Sequence, residues 1–154
     1  MGKEKEGMLE AFRRGIEREE KREALLPESQ QFLSGAKYTA QIMEQAPVSV
    51  FVLNSLGKGL FSSMNEEERI FEVCNIQSVS AAIQNMLLAA EHKGIGSLWI
   101  CDIFFAYEEL CQWLGTEGEL LAAVSFGYPN EAPKPRPRKE LDKVVVWKDG
   151  GLKR

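Results

Sequence analysis

Two arginines, Arg136 and Arg138, flank Pro137 late in the chain, with Lys134 and Lys139 beside them. Residues two apart on extended backbone point to the same side. Two guanidinium groups so placed can grip one phosphate with several donors each. The plainer reading is a basic surface arm that keeps the chain soluble, and the residues alone favour it. A second candidate is Gly94-Ile95-Gly96, which stands between a helical pattern and the flat apolar run Leu98-Trp99-Ile100. It is not a dinucleotide fingerprint, because it follows a helix instead of opening one. Such a run can wall a planar group, with backbone N–H groups meeting ring acceptors while side chains cover a face. A single tryptophan in a short run is more often core.

Other chemistry finds little support. Cys74, Cys101 and Cys111 form an odd set with no CxxC spacing, poor for zinc and poor for a disulfide framework. Free thiols fit a reducing cytoplasm. His92 is the single histidine and cannot build a histidine metal site or a defensible Ser-His-Asp set. Near a helix C-terminus it favours the helix dipole. Gly57-Lys58-Gly59 lacks the GxxxxGK[ST] spacing of a phosphate loop and reads as a surface loop. A formal net charge of −4 over 154 residues argues against general nucleic-acid binding. No run approaches the roughly 18 apolar residues of a membrane span, and the charged N-terminus does not read as a signal peptide.

The elements that must position these residues follow from periodicity. The central stretch runs from Ile76 to Cys101. Apolar residues recur at Ile76, Val79, Ile83, Met86, Leu87 and Ala90, one face of a helix. Asn75 stands where an N-cap would, and Gly94 just past the end. Small side chains along this helix would let another helix or a flat ligand come close. Residues 3 to 24 read as a charged surface or protruding helix with a thin stripe of Leu9, Phe12 and Ile16. Pro27 breaks it, a second helix covers Glu28 to Gln45, and Pro47 stops that one. Val48 to Leu53 reads as a buried central strand. A short helix over Glu66 to Val73 leads into the central stretch.

Tyr107 to Leu114 is a short amphipathic helix with Gly115 at its cap position. Leu120 to Phe126 is a second buried strand. Gly127 to Pro137 carries too many prolines for helix or central strand and runs as an extended arm. Beyond it, Lys143 to Trp147 forms an edge strand or an arm that reaches a partner. The sum is one α+β domain over 1–154, a short central sheet flanked by helices, with residues 1–35 a charged helical segment.

These residues carry a resemblance. The run SVSAAIQNMLLAAEHKGIGSLWI, then LLAAVSFGYPNEAPKPRPRKELDKVVVW, resembles the FMN-dependent nitroreductase family, and TAQIMEQAPVSVFVL resembles the segment and strand before it. The likeness covers about residues 36–147. It implies an FMN-binding oxidoreductase in which two α+β subunits form an intertwined homodimer with the flavin at their interface. NADH or NADPH would reduce the flavin, and a nitroaromatic, quinone or similar small acceptor would take the electrons. Carried over by position, Leu98, Trp99, Ile100 and Cys101 would line the ring, and Arg136 and Arg138 would reach the phosphate. No catalytic side chain is expected, because hydride transfer belongs to the flavin. The family's early Arg-x-Ser-x-Arg motif has no counterpart before Thr39, so the chain reads as one lacking the N-terminal third. The alternative expectation is therefore a dimeric remnant, weak or inactive, that binds flavin poorly.

Overall fold

The structure is a computed structural model and describes residues 2–21, 24–115 and 117–148. Four helices, α1 (Lys3–Glu20), α2 (Leu33–Gln45), α3 (Glu66–His92) and α4 (Tyr107–Leu114), surround three strands, β1 (Val48–Asn54), β2 (Gly96–Ile100) and β3 (Glu119–Gly127). The sheet order is β1-β3-β2 with both pairings antiparallel, an α+β arrangement. Short 3-10 turns at Pro27–Phe32 and Asp102–Ala106 lead into α2 and α4.

The sheet separates two cores. On one face Leu98, Ile100, Ala123 and Leu120 pack under Met8, Leu9, Phe12 and Ile16 of α1, Ala40 and Met43 of α2, and Leu110 of α4. On the other, Ala122, Val124 and Trp99 meet Ile83, Val79, Met86 and Leu87 of α3. Strand alternation produces this split, since successive side chains take opposite faces. One irregularity interrupts it: Val52 opposes Ala122 while Leu53 opposes Leu120, so Leu121 is an extra residue on β3. That bulge puts Leu120 on the same face as Ala123 and turns Glu119 toward α3.

Several expectations need correction. The first helix does not protrude. Its Leu9, Ala11 and Phe12 lie at the centre of the larger core, and an ideal Cβ on Gly15 would sit 2.3 Å from Ala106, so only glycine admits that approach. Arg22 and Glu23, the end of the expected helix, lie outside the described residues. The charge run is not wholly solvated either. Glu19 is 0% exposed, accepts from the Leu25 and Leu26 amides, and pairs with Arg18 at 2.9 Å. Secondly, α3 does not start at Asn75. It runs unbroken from Glu66, because Asn65 and Glu68 form a reciprocal capping box. Thirdly, β1 is an edge strand and β3 the central one; the apolarity of β1 reflects two covered faces, not two paired edges. Lastly, of the two readings for residues 143–147, edge strand or arm, the structure has the arm: after a 3-10 turn at Leu141–Lys143 it carries Val144, Val146 and Trp147 exposed.

The second helix is shorter than expected: residues 28–32 lie in a 3-10 turn with Phe32 exposed, and α2 begins at Leu33. Its end agrees, at Gln45 with Ala46 extended before Pro47, and α4 ends at Gly115 in the left-handed region.

Candidate cofactor site

The end of α3 is built to turn the chain sharply into β2. Gly94 has φ +69°, its amide bonds Glu91 O at 3.0 Å, and the Ile95 amide bonds Ala90 O at 2.9 Å. These two bonds are the Schellman arrangement, which uses up the last helix carbonyls and needs a residue free to adopt left-handed φ. Gly96 then opens β2 where the arm leaves β3: a Cβ there would lie 3.3 Å from Gly127 O and from Pro129.

β2 pairs with β3 alone among the described residues, so its outer edge is an unpaired ladder of backbone donors and acceptors. The four ring-lining candidates do not present one flat wall. Leu98 turns to the larger core, half-buried. Ile100 does so at 2% exposure, leaving only its backbone available to a ligand. Trp99 points to the opposite face and packs beside Ile83 and Val124. Cys101 is exposed at the strand's end. Burial of its sulfur, then the Asp102 carboxylate, pushes the thiol upward, so it stays neutral. Asp102 in turn accepts from Thr39 Oγ1 at 2.5 Å, which ties the turn after β2 to α2.

Arg136 and Arg138 lie exposed on the irregular stretch after β3. Lys134 and Lys139 flank them in sequence, and neither arginine forms an ion pair among the described residues. Two of the three arginines of α1 are engaged elsewhere, and Arg14 is exposed. Arg13 pairs with Glu44 at 2.9 Å, and Arg18 pairs with Glu19 and with Glu109 at 2.8 Å. Burial acts against the Glu109 charge, yet the hydrogen bond from Arg18 holds that carboxyl below its usual range. Among the described residues no cluster of His, Cys, Asp and Glu could hold a metal ion.

Periodicity missed one group. Asn54, Glu72 and Glu119 meet at the end of the sheet, where Asn54 Nδ2 donates to Glu72 Oε1 at 2.8 Å. The signal was a carboxylate opening an apolar run, GluLeuLeuAlaAla at 119–123, opposite an asparagine closing another.

Comparison with known proteins follows the same lines. A model of the nitroreductase family matches residues 1–128, which includes the first 35 residues that the motif likeness left aside. A crystal structure of a nitroreductase-like family protein from Bacillus cereus superposes with a TM-score of 0.59 at 15% identity, covering 96% of this chain and 70% of that one. At that identity the likeness speaks for the fold. With the family model spanning most of its length, the chain belongs to the nitroreductase family of flavin-dependent oxidoreductases.

Proposed function

We propose that the protein binds FMN against the free edge of β2 and uses NADH or NADPH to reduce nitroaromatic, quinone or similar electron-poor acceptors. The observation that carries this reading is the β2 edge itself. An unpaired row of backbone N–H and C=O groups, flanked by Trp99 and Leu98, fits the polar rim and flat faces of a heteroaromatic ring. Arg136 and Arg138 have the donor chemistry for the phosphate, supplied from the arm. FMN, when bound, supplies the two-electron chemistry. The chain's own part is to hold the ring with backbone contacts, exclude water with Trp99, and neutralise the phosphate. Cys101, neutral and exposed, contributes contact and no charge.

The dimer belongs to the same proposal. A second copy would cover the exposed side of α3 and bring an arm to the partner's strand. Among the described residues no helix is long and apolar enough to cross a membrane. A cytoplasmic setting is part of the proposal and rests on the free cysteines.

One observation favours a second reading, a scaffold that keeps the fold and binds flavin poorly. Two of the three α1 arginines, Arg13 and Arg18, are committed to carboxylates, which leaves little cationic charge on that helix for a phosphate. Incubation with FMN followed by desalting separates the two. A retained flavin absorbance, with NADH or NADPH oxidation on adding a nitroaromatic or quinone, supports the enzyme. Colourless protein with no turnover supports the scaffold.

A further inference from the structure

Asn54, Glu72 and Glu119 come from the end of β1, the second turn of α3 and the start of β3, far apart in sequence. The bulge at Leu121 is what turns Glu119 to the α3 side. Glu119 is 4% exposed and Glu72 8%, so two carboxyls are enclosed at one place. Asn54 Nδ2 satisfies Glu72 Oε1, and Asn54 Oδ1 accepts from the Leu56 amide. Glu119 Oε2 is buried with no hydrogen-bond donor. Gly57 closes over it: a Cβ at that position would lie 2.8 Å from Oε2. Two buried carboxylates with one amide between them cannot both stay charged cheaply.

The same pair is the attachment of half a helix. Of the residues from Glu66 to Ala82 in α3, only Glu72 is buried. The apolar grip of α3 on the sheet begins at Val79 and Ile83. The turns before that are fastened to the sheet by Glu72.

We propose that Glu72 and Glu119 share one proton and form a pH-sensitive latch, which holds the N-terminal turns of α3 and the 55–65 loop against the end of the sheet. The proton supplies the missing donor to the pair. Burial, then the Glu72 carboxyl, raises Glu119 to about 7 from an ordinary value of 4.5. The other charges nearby leave that assignment intact. Glu68 is paired with Lys58 on the outside, and Arg69 is exposed. From α4, burial pushes both the Tyr107 hydroxyl and the Cys111 thiol upward, so each stays neutral across this window. Asn54 and Gly57 carry no charge.

Released, Glu119 titrates at its ordinary value; latched, it holds its proton to about 7. Between those values the latched form binds more protons, so release grows as pH rises and levels off above about 7. Acidification tightens the latch. The inference does not rest on flavin binding.

Hydrogen–deuterium exchange from pH 5 to 8.5, corrected for intrinsic exchange rates, reads the latch directly. Protection of peptides across 66–78 should fall by up to about tenfold per pH unit to near pH 7 and then level. Peptides of β3 from Ala122 onward should not follow. Glu119→Gln, which carries its own donor and no charge, should make the 66–78 protection flat with pH. If that variant does not fold, Glu72→Gln removes the like charge but leaves Glu119 buried, so the profile should become shallower and its levelling point should move to lower pH. Protection across 66–78 that is independent of pH in the native chain overturns the proposal. So does an equal change throughout the chain, or a substituted chain that keeps the native slope.

Discussion

Arg136 and Arg138 are two exposed cations on an irregular arm, and their value depends on what they grip. On the surface they would contribute little to stability, since exposed ion pairs are worth about 0–1 kcal/mol. Gripping a phosphate they would supply charge-assisted bonds worth roughly 1.5–3 kcal/mol each. Substituting both by alanine should therefore leave the melting temperature nearly unchanged while weakening FMN by about tenfold or more. Riboflavin, which lacks the phosphate, is the control. Fluorescence titration should show FMN affinity falling and riboflavin affinity holding; equal losses would remove the pair from the phosphate. Glu19 shows the opposite case. Buried, and bonded to two amides and to Arg18, it is a charge the fold has fully enclosed. Breaking such a pair costs more than any exposed one contributes, because the partner left behind stays buried.

At the scale of elements, α3 shows what a sequence discloses and what it hides. The spacing of Val79, Ile83, Met86 and Leu87 named the face that meets the sheet, and His92 with Gly94 named the end. The start was misplaced by one asparagine. Asn75 and Asn65 are equally good caps by residue type, but only Asn65 has a glutamate three residues on to return the bond. Asn65→Ala should thus lower stability by about 1 kcal/mol and fray the first turn of α3, read as a loss of exchange protection near Glu68–Ile70. Asn75→Ala should do neither. The first helix was misjudged for another reason. Its mean character is polar, yet Ala11 and Gly15 let its narrow apolar stripe enter the core, and stripe width alone does not reveal that depth. The edge position of β1 was not readable, since two covered faces give the same apolar run as two paired edges. Leu98, Trp99 and Ile100 were read as one flat run, but strand alternation sends Trp99 to the face opposite Leu98 and Ile100. The cluster at the sheet end stayed hidden because it depends on a bulge.

Among the described residues, nothing covers the outer side of the long helix α3. Ile70, Phe71, Val73 and Leu88 are exposed, Phe71 to 61% and Leu88 to 59%, while small residues such as Ser78, Ala81, Ala82 and Ala89 also face outward. An apolar surface of that extent on one element is costly in water. The small side chains would let a second helix approach closely, and the arm adds Leu141, Val144, Val146 and Trp147 to the uncovered area. Both features fit the proposed homodimer, in which α3 of one copy meets α3 of the other and each arm crosses to its partner. Light scattering at micromolar concentration should return twice the chain mass of 17.3 kDa. Phe71→Glu with Leu88→Glu puts two charges where the partner would sit and touches neither core. That variant should be a folded monomer by scattering and circular dichroism. It should also have lost FMN retention if the ring and phosphate contacts come from different copies. A native chain that scatters as a monomer would remove the dimer, and a monomeric variant that still holds FMN would place the whole site within one chain.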